Sequence, residues 1–325
     1  MQQQRVEYID TAKGMCVLLV MFAHTVVYEW FAYPIYMFHM PMFFMLSGMV
    51  FKVDEGWWAR VRKSAIHLLA PILFFMAIFL PLRILRHRLK TGEFPTPSLS
   101  MLYVDYYDLP LWFLLALFAV IVIMRTLLTV AHNRMVVVGV AVVAIGAVGY
   151  CLMLKGVELP LYITQGLFSV PFFALGMVVR KADSARWIYV AGALFYCFGL
   201  WRLWQGHDAL DTVNYQVDAN PLFVYLPAIG GSLLALWVSR LFVFENILGD
   251  RLRRCLAYLG RNSLYIFACH LPILAVMCGI YYRVLGLISH SPVFPFFILF
   301  MWTTAVLLSL GIGYVLRRIA PGVFR

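Results

Sequence analysis

The sequence predicts an all-α protein embedded in a membrane, a bundle of about ten transmembrane helices. Hydrophobic residues make up 63% of its 325 positions and charged residues only 13%, whereas soluble domains are about 25% charged. The mean hydropathy is +0.86. The apolar residues are also gathered into long stretches, which is typical of membrane spans. We therefore expect a single integral-membrane domain over residues 1–325, without a separate soluble domain.

Ten apolar segments are long enough, or nearly so, to cross a bilayer. They cover residues 11–31, 34–53, 65–83, 110–129, 135–154, 163–180, 187–205, 221–241, 262–283 and 293–316. Pro171 and Pro272 predict kinks in the sixth and ninth segments. The first segment follows a polar head and is too long for the apolar part of a signal peptide, so we expect no cleaved leader.

Basic residues predict the orientation of the bundle. Ten spans place both termini on one side, and 19 of the 26 lysines and arginines fall on that side. Positive charge favours the cytoplasm, so both termini are expected to be cytoplasmic. The net charge of +11 then reflects the orientation of the bundle and attraction to anionic lipid, or else the binding of an anionic cofactor at the inner face. The cluster RILRHRLK at 83–90 opposes the rule, which indicates an anionic partner outside or a misplaced third span.

Lys13 and His24 are two ionisable residues on one face of the first apolar segment. Eleven positions at about 100° each bring His24 back to within roughly 20° of Lys13, about 16 Å further along the helix. Burying such groups in hydrocarbon is costly, so they indicate a functional site. Lys13 either snorkels at the cytoplasmic edge or binds phosphate. A neutral imidazole at His24 can serve as a general acid and base.

His39 lies near the outer end of the second segment, at a depth similar to that of His24. Adjacent antiparallel helices would bring the two imidazoles together. No third ligand of suitable depth is apparent, so we expect no metal site. The six cysteines show no CxxC spacing and are interpreted as buried apolar residues. Ser47 and Gly48 are predicted to mark a point of close helix packing.

Two basic stretches lead into spans from the cytoplasmic side. The first, 57–71, carries Lys63 and His67 as an i, i+4 pair. The second, 251–272, leads to Asn262, Ser263, Tyr265 and His270. Neither contains a phosphate-binding loop or a dinucleotide fingerprint, so nucleotide hydrolysis is not supported. Two long outer loops, about 91–110 and 205–221, carry carboxylates, Tyr, Asn and Gln, which suit carbohydrate hydroxyls and equally suit any solvated loop.

Five motifs occur in this order along the chain: RVEYIDTAKGMCVLLVMFAHT, FHMPMFFMLSGMVF, LPLWFLLALF at 109–118, PFFALG at 171–176 and LGRNSLYIFACHLPIL at 259–274. Together they resemble the membrane acyltransferase-3 family, and within it the fucose 4-O-acetylase-like sugar O-acetyltransferases. The resemblance covers nearly the whole chain. It implies a ten-helix bundle in the inner membrane of a bacterium, which transfers an acyl group, usually acetyl from cytoplasmic acetyl-CoA, to a hydroxyl of a glycan or lipid-linked saccharide.

The resemblance also implies roles for individual residues. The family's basic residue followed after ten positions by histidine falls on Lys13 and His24, and its FHMP histidine falls on His39. We expect His24 and His39 to be catalytic. The residues expected to bind CoA are Lys13, Arg60, Arg62, Lys63, His67, Arg254 and Arg261. The arginine-rich entry to the third helix is matched only loosely by Arg60, Arg62 and Lys63. Substrate-binding or supporting roles fall to Asp10, Trp112, Asn262, Ser263, Tyr265 and His270.

Several alternatives stay open at the level of sequence. Direct transfer with His24 as base and an acyl-enzyme relay fit equally well, and the donor could be acetyl or another acyl group. A flippase or exporter of a glycan or lipid-linked sugar, without acyl transfer, is the competing function. A structural scaffold is less consistent, since it leaves His24, His39 and His270 without a purpose. No nucleic-acid partner is expected.

Overall fold

The computed structural model describes residues 2–25, 29–53, 56–94, 110–182, 186–206, 210–212, 214–247, 249–284 and 294–324. Within these ranges the regular structure is helical, with one isolated bridge between Asp211 and Gln216. The all-α class is therefore confirmed. The helices are α1 (Gln2–Thr25), α2 (Glu29–Tyr36), α3 (His39–Met49), α4 (Trp57–Thr91), α5 (Trp112–Val130), α6 (Met135–Leu154), α7 (Ile163–Ala182), α8 (Arg186–Trp204), α9 (Pro221–Phe244), α10 (Gly249–Arg261), α11 (Ser263–Val284) and α12 (Phe294–Ile319).

Seven helices in the described part of the chain are long and apolar enough to cross a membrane. They cover Trp57–Pro81, Trp112–Val130, Met135–Leu154, Pro160–Arg180, Pro221–Phe244, Ser263–Ile280 and Pro295–Ile319. These seven match the third to sixth and the eighth to tenth predicted segments. A multi-pass membrane protein is therefore supported, whereas the count of ten spans and the cytoplasmic placement of both termini stay predictions.

The second predicted segment, 34–53, does not form one helix. The chain turns at Met37 and Phe38, between α2 and α3. Helix α3 has 11 residues, or about 16 Å, which is short against a hydrocarbon core of about 30 Å. Pro41 accounts for the new start, because proline fits the first turn of a helix, where its missing N–H removes no helical hydrogen bond. The turn places His39 at the beginning of α3.

Helix α4 is longer than the third predicted segment at both ends. Its 35 residues extend beyond 65–83 in each direction, and the apolar part suited to a span ends at Pro81. The basic cluster at 83–90 therefore lies on a helical extension beyond the span. The Arg88 guanidinium lies 4.0 Å from the centre of the Phe94 ring there.

Helix α1 packs against α2, α3, α9, α10, α11 and α12, so it lies inside the bundle. Its contact with α10 is very close. A Cβ added at Gly260 would lie 1.8 Å from the Asp10 carbonyl oxygen, and one added at Gly14 would lie 2.1 Å from that of Leu256. Small residues permit backbones to approach in this way. The basic stretch at 251–261 is therefore an amphipathic helix held against α1, which the sequence analysis did not assign.

Gly48 and Gly176 form a second close crossing, between α3 and α7. A Cβ at Gly48 would meet the Phe173 carbonyl oxygen at 1.9 Å, and a Cβ at Gly176 would meet that of Met45 at the same distance. The close packing point predicted at Gly48 is confirmed. The adjacent Ser47 donates its hydroxyl hydrogen to the Phe43 carbonyl, 2.8 Å away, within its own helix.

The crossing of α1 and α10 predicts that two glycine substitutions will differ in their effect on the stability of the protein. Gly260→Ala should destabilise the protein by about 1–3 kcal/mol, because the new methyl group overlaps backbone atoms that have little room to move. Gly279→Ala on α11, where an added Cβ meets nothing within 4 Å, is the matched control. It should be neutral or slightly stabilising, since alanine is the better helix former. Thermal unfolding in detergent measures both; equal melting temperatures would contradict this packing.

Candidate active site

A partly open pocket lies near the C-terminal end of α1, about three turns from Lys13, with about 420 Å³ of empty space that includes its open mouth. It is lined by Val20, His24, Tyr36, His39, Met40, Pro110, Trp112, Leu210, Asp211, Thr212 and Phe267. Helices α1, α2, α3, α5 and α11 supply most of its wall. Pro110 and residues 210–212 come from the two long loops that the sequence analysis assigns to the outside.

Two histidines, His24 and His39, line this pocket, and a third, the fully buried His270, lies against His24. The centre of the His24 ring lies 5.4 Å from that of His270 and 6.0 Å from that of Tyr36. The Tyr36 and His39 ring centres are 5.4 Å apart. The structure thus brings His24, His39 and His270, which are up to 246 positions apart in the sequence, into one row of aromatic rings.

Backbone carbonyls fix the tautomer of two of these histidines. His39 Nδ1 lies 3.1 Å from the Ile35 carbonyl oxygen, and His270 Nδ1 lies 3.0 Å from that of Ile266 and 2.8 Å from that of Phe267. A carbonyl only accepts hydrogen bonds, so Nδ1 carries the hydrogen in each ring. The Nε2 lone pair is then the one able to accept a proton. His270 Nε2 is fully buried and has no hydrogen-bond partner, so it is an unsatisfied hydrogen-bond acceptor.

Asp211 and Tyr36 are site residues that the sequence analysis did not name. The Asp211 carboxylate accepts hydrogen bonds from the backbone N–H and the side-chain amide of Asn214, at 3.1 and 2.7 Å. It lies close enough to interact electrostatically with His24. The Tyr36 hydroxyl donates to the Ala23 carbonyl, 3.3 Å away. The outer loop at 205–221 had been noted for its carboxylates, whereas nothing distinguishes Tyr36 from other apolar-segment tyrosines.

A charged cluster lies near the middle of α1, about three turns before His24. Lys13 Nζ is 4.0 Å from one Asp10 carboxylate oxygen, and an Arg261 Nη atom is 3.8 Å from the other. Burial raises the pKa of Asp10, against the opposing effect of Lys13 and Arg261. One turn away, Arg253 binds Glu7 at 3.3 Å. Two of the residues expected to bind CoA, Lys13 and Arg261, therefore do come together, with Asp10 between them.

The other expected CoA residues lie on different surfaces. Arg60, Lys63 and His67 belong to the first turns of α4, which packs against α5. The Arg60 guanidinium lies 4.7 Å from the centre of the Phe51 ring. Arg62, Lys63 and His67 are exposed, as is Arg254 on α10. The structure therefore groups Lys13 with the α10 arginine rather than with the α4 cluster.

Of the supporting residues, Trp112 lines the pocket and is 2% exposed. Asn262 joins α10 to α11, its side-chain amide donating to the Tyr258 carbonyl at 2.7 Å. Tyr265 accepts a hydrogen bond from Arg317 Nε at 3.1 Å and packs against α12. Ser263 begins α11. Asn262, Ser263 and Tyr265 are thus not among the residues that line the pocket.

No group of three His, Cys, Asp or Glu side chains within the described ranges could hold a metal ion. A neutral imidazole can accept a proton and return it, which is the chemistry of a general acid and base.

The face of α1 between its two ends is packed. Val17 and Val20 lie on the same side as Lys13 and His24 by helical phase, and they are 0% and 1% exposed. The charged cluster and the histidine pocket are therefore separated by apolar side chains in this conformation.

The chain is similar to known proteins over nearly its whole length. A model of the acyltransferase-3 family, described as an acyltransferase domain, matches residues 6–315. The chain belongs to this family. It is also similar to nodulation protein NolL of Mesorhizobium japonicum, with 24% identity over 343 aligned positions that cover 97% of this chain and 85% of NolL. No solved structure matches it. The resemblance drawn from the motifs is confirmed, and the protein is a membrane acyltransferase.

The carbonyl contacts predict the protonation pattern of the acyltransferase's buried imidazoles. Solid-state NMR of protein labelled with ¹⁵N in histidine should show His39 and His270 with the hydrogen on Nδ1 and a bare Nε2, because only that tautomer can donate to the carbonyls. Substitution of each residue by Asn assigns its signals. His67 and His87, both exposed on α4, are the controls and should show mixed tautomers. A hydrogen on Nε2 of neutral His39 or His270 would contradict the geometry.

Proposed function

We propose that this acyltransferase transfers an acetyl group from cytoplasmic acetyl-CoA to a hydroxyl of a glycan or lipid-linked saccharide, with His24 as general base. The observation that carries the proposal is that His24 and His39 line one pocket with Tyr36 and Asp211, while the His270 ring lies 5.4 Å from that of His24. The row of rings supplies a base and buried polar groups beside it, as acyl transfer to a hydroxyl requires.

The reaction step assigned to the pocket is a direct transfer. The acceptor oxygen attacks the thioester carbonyl carbon while His24 removes the hydroxyl proton. The C–S bond then breaks, and the imidazolium returns the proton to the CoA sulfur. Asp211, close to His24, favours the imidazolium that forms in this step. A relay through an acyl-enzyme is the alternative route within the same pocket.

The acceptor is assigned to the loop side of the pocket. Leu210, Asp211 and Thr212 form that side, and carboxylate, hydroxyl and backbone groups suit sugar hydroxyls. Trp112, next to the Tyr162 ring at 6.0 Å, gives the pocket an apolar wall. These groups support a carbohydrate acceptor and leave the identity of the sugar to experiment.

The donor phosphates are assigned to the charged cluster near the middle of α1. Lys13 and Arg261 supply positive charge for phosphate groups, and displacement of Asp10 from them by a CoA phosphate would free both cations. The arm that carries the acetyl group has about 16 Å to cover to reach His24. Because Val17 and Val20 are buried along that face, donor binding has to part α1 from the helices packed on it.

A second groove along α1 does not provide this route. It is lined by Met15, Leu18, Leu19, Phe22, Phe242, Leu252, Leu256, Pro295, Ile298, Leu299 and Trp302. Its four α1 residues lie on average about 190° from Lys13 by helical phase, on the side of the helix facing away from His24. The groove is apolar and lies on the side of α1 away from the site.

Substitution of Lys13 and of His24 should produce opposite kinetic effects. His24→Ala should lower kcat about 10²–10⁴-fold with little change in the KM for acetyl-CoA, because it removes the base. Lys13→Ala should raise that KM about tenfold and leave kcat nearly unchanged, because it removes a phosphate contact. His87→Ala, an exposed histidine on α4, is the control. The assay follows release of the CoA thiol by purified protein in detergent with a glycan acceptor.

Two results would contradict the proposal in different ways. Equal effects of His24→Ala and Lys13→Ala on KM, with residual turnover intact, would remove the division of roles. Wild-type protein that moves a lipid-linked sugar across vesicles while consuming no acetyl-CoA would instead support an exporter.

Mass spectrometry of glycans from cells with and without the gene tests the acceptor: a gain of one acetyl mass on one sugar is the expected result.

A further inference from the structure

A third groove, open to the outside of the bundle, separates the ends of α8 and α9 that lie on the side of Lys13. The empty space along it is about 1340 Å³, part of which lies open to the outside of the protein. Its lining residues are Arg186, Tyr189, Val190, Ala193, Trp237, Arg240, Leu241, Phe244 and Glu245. Neither the acyltransferase site nor the Lys13 cluster uses these residues.

Arg240 is held in place by aromatic rings on three helices. Its guanidinium carbon lies 5.0 Å from the centre of the Phe244 ring, 5.5 Å from that of Tyr8 and 5.8 Å from that of Tyr189. Such cation–π contacts orient a guanidinium without using all of its N–H donors. Arg240 therefore presents a fixed positive charge on one wall of the groove, while Arg186, the first residue of α8, supplies a second.

The groove changes from charged to apolar along its length. Arg186 begins α8, and Val190 and Ala193 follow one and two turns further in, about 10 Å in all. On α9, Trp237 lies about one turn before Arg240. Val190 and Trp237 are 62% and 41% exposed, and α9 is one of the helices suited to cross the membrane. The apolar part therefore opens toward lipid, and the arginines lie at the membrane surface.

We propose that this groove binds one phospholipid, with its phosphate on Arg186 and Arg240 and an acyl chain along Val190, Ala193 and Trp237. Arginine matches the planar, bidentate geometry of phosphate oxygens. Glu245 at the rim leaves the groove with two positive charges and one negative, a net charge of one that matches a phosphodiester. CoA carries several negative charges and no long apolar chain, so it fits this groove less well.

The binding test uses dioleoyl phosphatidylglycerol as the probe, titrated into delipidated full-length protein and followed by native mass spectrometry. Wild type should retain one lipid tightly. Arg186→Gln should weaken that binding about tenfold, because it removes one charged contact with the phosphate. The control is Arg134→Gln, which removes one exposed arginine at the start of α6, outside the groove; it should bind as wild type does.

A second variant and a competitor test the apolar part and the identity of the ligand. Ala193→Phe fills the groove without a change of charge and should also weaken binding, whereas excess CoA should not displace the lipid. Equal binding by Arg186→Gln and Arg134→Gln would overturn the proposal. So would unchanged binding by Ala193→Phe, or displacement of the lipid by CoA, which would make the groove a nucleotide site.

Discussion

The close approach of α1 to α10 is the constraint on which the arrangement of this acyltransferase depends. Gly14 and Gly260 allow the two backbones to meet where any side chain would overlap a carbonyl. This contact places Asp10 and Lys13 beside Arg261 and fixes α1 among six neighbouring helices. Because one helix carries both Lys13 and His24, the position of α1 determines the position of both ends of the site.

The turn between α2 and α3 forms the surroundings of His24 at the C-terminal end of α1. That turn brings Tyr36 and His39 back to the level of His24, and two contacts hold it there. The Tyr36 hydroxyl donates to the Ala23 carbonyl at 3.3 Å, and the Cys16 thiol donates to the His39 carbonyl at 3.4 Å. On another side, the Trp302 indole donates to the Leu18 carbonyl at 3.1 Å. In the proposed reaction, a helix tied to its neighbours in this way would have to loosen before the donor could pass Val17 and Val20.

Much of this could be predicted from sequence, and the failures have physical reasons. Long apolar segments predicted α4–α7, α9, α11 and α12 as spans, because hydropathy over about 20 residues is a strong signal. The break at Met37 was missed because both sides of it are equally apolar. The ten residues between Lys13 and His24 carried the prediction of the site, since helical phase alone puts the two residues on one face; their roles stay a prediction.

Residues brought together by tertiary packing were harder to predict. His270 was named only as a supporting candidate, although its ring lies next to His24, because nothing in the sequence relates α11 to α1. Arg261 and the basic residues from Arg60 to His67 all belong to basic stretches that lead into a span. Of these residues, Arg261 is the one that meets Asp10, the partner of Lys13. Charge alone does not say which helix a basic stretch will contact. Asp211 lay in a loop whose composition was noted, but loop composition does not single out one carboxylate.

The most direct test of the account is the sidedness of the reaction. Radiolabelled acetyl-CoA is sealed inside right-side-out membrane vesicles that contain the protein and their own glycans, and labelled ester is then removed with an impermeant esterase added outside. The account predicts labelled ester that the external esterase releases, and none with His24→Ala. Label that stays protected inside, or that forms only when acetyl-CoA is added outside, would contradict a route from Lys13 to the pocket at His24.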